Sequence, residues 1–206
     1  IYAIIFASGC NSGQQTQTEE KETTIKSNSQ MQLKVDKYAT VKLTSDISHL
    51  SAEEKEMLKL LFEAANKVDE IFWMQNVGNK EEFLSAIADP ATKEFAEINY
   101  GAWDELDNLK PFVDGYGVKP AGAGFYPQDM TKEEFEVFDN PDKTSLYTVI
   151  KRNENGSLES VWYHEAYKQQ VEEVADLLLK ASKLAGDKAF AKYLELRSVA
   201  MLTDDY

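Results

Sequence analysis

The sequence predicts a mostly α-helical α+β fold that carries a small antiparallel β-hairpin or sheet. Apolar residues recur at helical spacing in several stretches between residues 52 and 202. Two β-rich runs, residues 146–150 and 158–163, flank the segment Asn153-Glu154-Asn155-Gly156, which is typical of a hairpin turn. The chain has 206 residues, of which 43% are hydrophobic and 28% charged, so it has enough apolar material for a core.

The charge balance narrows the classes of partner. Asp and Glu outnumber Lys and Arg by 36 to 22, which gives a formal net charge of −14. Binding to nucleic acid requires a surplus of basic residues, so we expect no nucleic-acid partner. The same charge opposes docking on an anionic lipid surface by electrostatic attraction. The sequence has 1 Cys, which excludes an intramolecular disulfide.

The first ten residues indicate export and lipidation. An apolar run, residues 1–6, leads into Ala7-Ser8-Gly9-Cys10. The run is too short to span a bilayer, which takes about 20 residues, but it fits the end of a secretory signal peptide. The last four residues resemble a bacterial lipobox, in which the peptidase cuts before the cysteine and the thiol carries diacylglycerol. We expect residues 1–10 to be a signal-peptide remnant and Cys10 to be lipidated. The alternative is a buried N-terminal strand with an inert cysteine.

A polar segment, residues 11–30, follows and is predicted to be a disordered tether. A lipid anchor and a tether together place the protein in the bacterial cell envelope, facing the periplasm or the cell exterior. The chain begins with Ile1 rather than Met and stops at Tyr206 without a visible terminator. We therefore expect a piece of a longer protein, with its folded part over residues 31–206.

The first predicted elements are extended and then helical. Apolar residues at odd positions between 33 and 43 predict one or two short strands or an extended arm. Ser51 and Glu54 form the pattern of a capping box, which predicts a helix from about Ala52 to Gln75 that is terminated by Gly78.

Two further helices and a loop are expected next. Asn79 is the expected N-cap of a short helix, and Asp89-Pro90 begins another that ends near residue 100. Several glycines interrupt the segment from Pro111 to Pro127, which is therefore predicted to be a long ordered loop.

The last third of the chain alternates helix, hairpin and helix. Thr131 and Glu134 predict a second capping box, ahead of a short helix. After the hairpin, apolar spacing predicts a helix from Glu165 to Leu184, ended by Gly186, and a final helix from residue 188 to about residue 202.

No complete catalytic motif is present in the sequence. His164-Glu165 begins like the zinc motif H-E-x-x-H, but Lys168 stands where the second histidine belongs. A metal site built on His49 and His164 would need further ligands, and a satisfied histidine at the end of a strand is the better interpretation of His164. There is no G-x-S-x-G nucleophile elbow and no P-loop. We therefore predict neither a catalytic residue nor a metal ligand in this chain.

The glycine-rich loop holds the candidate binding residues. Tyr116, Phe125 and Tyr126 offer flat aromatic surfaces, Lys119 offers a cation, and the neighbouring glycines allow close approach of backbone to a ligand. These residues are predicted to form the rim of a substrate cleft. The alternative is a packed loop whose aromatic side chains fill a core shared with a missing second half.

Several segments together resemble a known family. They are residues 122–135, 143–150 and 163–167, together with Arg197-Ser198 and residues 202–206. These segments resemble the N-terminal part of bacterial proteins of the dipeptidyl-peptidase III family, peptidase family M49, whose members are often lipoproteins. The resemblance covers about Tyr38 to Tyr206 and rests on similarity of whole segments, not on a catalytic signature.

The resemblance implies a two-lobed zinc exopeptidase that removes dipeptides from peptide N termini. It implies a zinc ion held by two histidines of a His-Glu helix motif and by a glutamate of a later helix, with the motif's own glutamate activating the bound water. None of those positions occurs in this chain. The resemblance thus implies an incomplete lobe that lacks the C-terminal catalytic part, with zinc ligands outside this chain.

Two classes of function follow. The first is a lipid-anchored zinc metallopeptidase of dipeptidyl-peptidase III type, whose partners are a peptide substrate, the membrane through its lipid, and the missing C-terminal half of its own chain. The second is a non-catalytic tethered lipoprotein that binds peptide or saccharide. A scaffold lipoprotein remains a third, less specific alternative.

Overall fold

The computed structural model describes residues 30–206. The predictions for residues 1–29, which include the lipidation of Cys10 and nearly all of the tether, lie outside the described residues. Helices dominate the described part, and short strands form two antiparallel pairs, so the predicted α+β class is confirmed. Within residues 30–206, no helix is both long and apolar enough to cross a membrane.

The predicted strand at the start of the folded part is wrong. Residues 30–35 are helical (α1), because Met31 and Val35 lie four positions apart and both are buried against Phe95. Leu33, which the strand prediction placed on the same face, is 64% exposed. Residues 39–47 have no regular structure, as the extended-arm alternative expected.

Helix α2, Ala52–Asn76, forms as predicted. The Ser51 hydroxyl accepts a hydrogen bond from the Glu54 amide at 3.1 Å, and the Glu54 carboxylate accepts one from the Ser51 amide at 2.9 Å. This reciprocal pair satisfies amides that the first turn leaves without helical partners. The chain leaves the helix through Gly78, whose φ of +92° suits glycine.

Two short helices pack beside the end of α2. Helices α3, Lys80–Ser85, and α4, Pro90–Ile98, have the predicted caps Asn79 and Asp89. Their apolar faces close the first core cluster, which consists of Trp73, Phe83, Leu84, Ala96, Ala102 and Trp103. A strand pair that the sequence did not reveal follows, β1 (Trp103–Asp104) with β2 (Lys110–Pro111). Each of these strands has 2 residues, too few for an alternating pattern.

The hairpin forms where the sequence placed it. Strands β3, Thr148–Arg152, and β4, Leu158–Trp162, are antiparallel, with Val149 opposite Val161. In the turn, Gly156 has a φ of +80°, as the Asn-Gly dipeptide predicts for its glycine. The buried face of β3 packs against Tyr167 and Val171, which form a core cluster separate from the first.

The long predicted helix after the hairpin is divided. The structure has α6, Tyr163–Ala166, then α7, Lys168–Ser182, and finally α8, Lys188–Thr203. The break falls at Tyr167, whose φ of −124° and ψ of 36° are not helical. Its side chain is buried against Val149 and Val171, so packing of the tyrosine outweighs continuation of the helix. Helices α2, α7 and α8 then pack together around Met57, Ala181 and Leu194.

The loop from Pro111 to Pro127 is largely irregular, as predicted, but it contains a 3-10 turn at Ala123–Phe125. This turn lies against the last part of α2. A Cβ atom on Gly124 would stand 2.7 Å from the carbonyl oxygen of Gln75, so only glycine allows this approach. Gly124 therefore fixes the loop on α2.

We expect Gly124→Ala to destabilise the protein by about 1–3 kcal/mol, because the new methyl group meets backbone that cannot rotate away. Gly117→Ala is the matched control: no heavy atom lies within 4 Å of its added Cβ. The control should change stability by less than about 0.5 kcal/mol. Urea denaturation of the two variants measures the difference, and equal midpoints would contradict the close approach.

The predicted second capping box is only half formed. At helix α5, Lys132–Val137, the Thr131 hydroxyl accepts from the Glu134 amide at 3.1 Å. The Glu134 carboxylate does not return to the cap but binds the Arg152 guanidinium at 2.7 and 2.9 Å. Arg152 also contacts both carboxylate oxygens of Asp129, at 2.9 and 3.1 Å. The hairpin arginine thus ties β3 to α5 and to the loop before it.

The Arg152 network predicts a pH dependence of stability. Hydrogen bonds from Arg152 hold the pKa values of Asp129 and Glu134 below their ordinary range. The network therefore stabilises the fold above the unfolded-state pKa values, roughly 4, and this contribution is lost as pH falls through the lowered folded values. We expect Arg152→Ala to lose less thermal stability than the parent between about pH 5.5 and about pH 3.

The control for this comparison is Lys132→Ala, which removes an exposed pair with Glu136 at 3.6 Å on the same helix. Melting temperatures followed by circular dichroism across the pH range give the measurement. Profiles of the parent and Arg152→Ala that fall in parallel would show that the arginine does not control these carboxyl groups.

Candidate binding grooves

A groove opens between helices α2, α7 and α8, with a volume of about 590 Å³. We call it the helix groove. Its apolar floor comes from α2 and α7, with Leu61, Ala64, Val68, Ile71, Val171, Val174 and Leu178. Phe72 of α2 also lines it and is 49% exposed. The groove therefore presents aliphatic and aromatic side chains to solvent, which is characteristic of a surface that binds another group.

Tyrosines form one wall of the helix groove. The rings of Tyr147 and Tyr206 lie 4.7 Å apart between centroids, and those of Tyr163 and Tyr167 lie 5.5 Å apart. Burial, together with the nearby charge of Asp204, raises the pKa of Tyr163 to about 12. This wall therefore offers phenol side chains, which combine an apolar face with a hydrogen-bonding hydroxyl.

The end of α8 is held to the start of α6 by His164 and Asp204. The Asp204 carboxylate lies 2.7 Å from Nδ1 of His164 and also accepts the His164 backbone N–H at 3.1 Å. The side chain of Asp204 is 1% exposed, and its second carboxylate oxygen, Oδ1, is buried without a hydrogen-bond partner in the described part of the chain. His164 lies in α6, two positions after the last residue of β4, and its Nδ1 is engaged by Asp204, which fits the expected satisfied histidine near a strand end.

The last residues of the chain fold back on α8. The Arg197 guanidinium lies over the ring of Tyr206, 4.4 Å from its centroid, and the Tyr206 hydroxyl donates to the sulfur of Met201 at 3.3 Å. These contacts shape the groove opening beside Asp204.

A second groove, the loop groove, shares Phe72 with the helix groove and has a volume of about 630 Å³. Two of the predicted cleft-rim residues, Lys119 and Phe125, line it. The Lys119 ammonium lies 3.0 Å from the Glu105 carboxylate and 5.5 Å above the Trp103 ring. This cation is therefore paired.

The other two predicted rim residues lie elsewhere. Tyr126 borders a separate cavity of about 440 Å³, with its ring 6.0 Å from that of Phe135. Tyr116 packs edge-on against Phe83 and Trp103, at 5.5 and 5.6 Å between ring centroids. The four predicted residues thus do not converge on one site. Tyr116 packs against the first core cluster of this chain, and a core shared with a missing half stays a prediction.

Sequence reasoning did not find the helix groove. Its members come from α2, the segment before β3, α6, α7 and α8, together with residues that adjoin these helices, and only folding brings them together. One feature of the sequence points to it: α2 has more apolar residues than its buried positions use, among them Val68 and Phe72, which line the groove and are 47% and 49% exposed.

The described residues do not fit a zinc site. Across residues 30–206, no group of three or more His, Cys, Asp or Glu side chains is placed to hold a metal ion. His49 lies in an exposed segment far along the chain from His164, and Nδ1 of His164 is engaged by Asp204. No step of hydrolysis is therefore assigned to these residues.

This arrangement of helices around small antiparallel strand pairs has a known counterpart: the fold is like that of a lobe of dipeptidyl-peptidase III. The chain is similar to the structure of DPP III from Caldithrix abyssi, with 38% identity and a TM-score of 0.76 over 82% of this chain and 34% of that one. For dipeptidyl-peptidase III from Corallococcus sp. strain EGB the values are 27% identity and 0.74, over 89% and 36%.

A curated plant protein is also similar. Nudix hydrolase 3 from Arabidopsis thaliana is 24% identical over a match that covers 85% of this chain and 31% of the plant protein. No protein-family model matches the sequence. The chain spans about a third of the length of each of these relatives.

The contacts of Asp204 predict a measurable coupling. Asp204→Ala should lower the free energy of unfolding by about 2 kcal/mol, because it removes the oxygen that accepts the His164 backbone N–H and lies 2.7 Å from its Nδ1. His164→Ala should cost about 1 kcal/mol in the parent and close to nothing in the Asp204→Ala background. Chemical denaturation of the double-mutant cycle measures the coupling.

Asp204→Asn is the control for backbone strain, because Asp204 has a φ of +53° and asparagine tolerates this conformation while keeping an acceptor oxygen. We expect it to cost less than Asp204→Ala. Strictly additive effects of the His164 and Asp204 substitutions would show that the pair does not hold α6 to α8.

Proposed function

We propose that this chain is the leading, non-catalytic portion of a longer zinc-dependent exopeptidase of dipeptidyl-peptidase III type, which releases dipeptides from the N termini of peptides. The observation that carries the proposal is the likeness to DPP III from Caldithrix abyssi, at 38% identity and a TM-score of 0.76 over 82% of this chain. At 38% identity the two proteins are similar in sequence as well as in fold.

The proposed division of labour follows from the described residues. They offer no set of metal ligands, so the zinc ion, which would supply an activated water, is assigned to residues outside this chain. What residues 30–206 supply is a rigid helical body and its grooves. The loop groove, which Phe125 and Phe72 line, is the proposed wall of the substrate cleft. Peptide is the proposed substrate.

We further propose that the protein is anchored in the bacterial cell envelope through lipid on Cys10. The residues Ala7-Ser8-Gly9-Cys10 and the polar segment after them support this proposal. Such an anchor would hold the peptidase at the membrane, on the periplasmic or outer side, where exported or imported peptides pass.

A tethered binding lipoprotein without catalysis is the second candidate. The tyrosine-lined helix groove favours it, because aromatic walls around a cavity of about 590 Å³ suit a peptide or a saccharide. The likeness to Nudix hydrolase 3 supports no separate proposal, since it rests on 24% identity over 31% of the plant protein.

The coding sequence after codon 206 decides between the two candidates. We expect an open reading frame that encodes a His-Glu helix motif with a second histidine and, later, a glutamate-bearing helix. The protein from that frame should contain zinc and release dipeptides from a dipeptidyl chromogenic substrate. A chelator should abolish this activity, and added zinc should restore it.

The 206-residue chain alone is the control and should show no activity in the same assay. A frame that stops within a few dozen codons of residue 206 would rule out the zinc peptidase. Zinc-free protein that binds peptide or saccharide without cleaving it would favour the tethered binding lipoprotein.

A further inference from the structure

The helix groove holds apolar side chains that nothing in the described part of the chain covers. Val68 and Phe72 of α2 are 47% and 49% exposed, and Tyr193 of α8 is 56% exposed. Exposure of several large apolar side chains around one cavity is unfavourable in water, so such a surface marks a contact with another segment or molecule.

Charge argues against a second copy and against a membrane as the occupant. Each chain has a formal net charge of −14, so two copies repel one another, and an anionic bilayer repels both. Apart from the tyrosines, the ionisable side chains that line the groove are Arg197 and Asp204, one basic and one acidic. The groove itself is thus neutral and apolar, and it suits an apolar segment of low charge.

The size of the groove also favours an occupant that is covalently attached. A volume of about 590 Å³ accommodates a small number of large side chains. Stable association between separate proteins takes on the order of 1,600 Å² of buried surface, which a cavity of this size does not provide by itself. A segment of the same polypeptide needs no such area, because its effective concentration is high.

Relatives with known structures are long enough to provide such a segment. This chain corresponds to 34% and 36% of the two solved dipeptidyl-peptidase III chains. About two thirds of each relative is therefore polypeptide outside the part matched here. The inference that follows rests on the proposed function, in which this chain is the leading portion of a protein of comparable length.

We infer that the helix groove is the docking surface for an apolar segment from the remaining, later portion of the same polypeptide, which packs between α2 and α8 against the tyrosine wall. The segment presents aliphatic or aromatic side chains to Val68 and Phe72. A hydrogen-bond donor on it would also satisfy Oδ1 of Asp204, a buried acceptor that now has no partner.

The test uses cysteine accessibility in a Cys10→Ser background, in both the 206-residue chain and the product of the whole reading frame. Val68→Cys reports on the groove. Val137→Cys is the matched control, because Val137 is 81% exposed on α5 and lies outside the groove. Native proteins are labelled with a maleimide, and each rate is divided by the rate in denaturant.

We expect Val68→Cys to be labelled at least about tenfold more slowly in the longer protein than in the 206-residue chain, since labelling then requires local opening. Val137→Cys should be labelled at similar rates in both. Equal labelling of Val68→Cys in the two proteins would overturn the inference, as would a reading frame that stops soon after codon 206.

The same samples separate this inference from the proposed function. A longer protein that is an active zinc peptidase but leaves Val68→Cys fully reactive disproves the docking and leaves the peptidase intact. A longer protein that protects Val68→Cys but contains no zinc and releases no dipeptide supports the docking and disproves the peptidase. Unchanged melting of both cysteine variants relative to the Cys10→Ser parent confirms that each is folded.

Discussion

Helix α2 is the constraint on which the rest of the described structure depends. It contributes Met57 to the cluster with α7 and α8, Ile71 to the cluster under the hairpin, and Trp73 to the cluster with α3 and α4. Its Gln75 carbonyl meets Gly124 of the long loop. A single rod can serve so many neighbours because it has 25 residues, a capping box at its start and apolar residues on several faces. The separate clusters are therefore fixed relative to one another by one continuous backbone.

The apolar residues on several faces of α2 also explain why grooves flank this helix. A helix with apolar residues on several faces needs neighbours on each, and α3, α4, α7 and the 3-10 turn cover only some of them. Phe72 lines both the helix groove and the loop groove. One groove offers a tyrosine wall and an apolar floor, and the other offers Phe125 beside a lysine that is already paired. Core packing on some faces of α2 and groove formation on others are thus two consequences of one helix.

Predictions held where local interactions decide the outcome and failed where distant ones do. The caps Ser51, Asn79 and Asp89 and the Asn-Gly turn depend on hydrogen bonds and backbone preferences within a few residues, and all formed as expected. Glu134 left its capping box because Arg152, 18 positions away, offers a bidentate charged partner. In α1, burial against Phe95 selected helical spacing over alternation. The cleft-rim residues separated for the same reason, since aromatic neighbours in the core determined where Tyr116 and Phe125 lie.

The sequence by itself determined the α+β class, the positions of most helices, the hairpin, the acidic charge, the lack of a complete catalytic motif and a resemblance to dipeptidyl-peptidase III. Each of these depends on composition or on residues that are near one another along the chain. Only the tertiary structure decided that Asp204 holds His164, that Tyr167 interrupts a helix, and that residues from α2, α7 and α8 surround one groove. His164 and Asp204 are 40 positions apart, and the groove joins residues that are still more distant along the chain. No spacing rule specifies which distant side chains meet when apolar faces are buried.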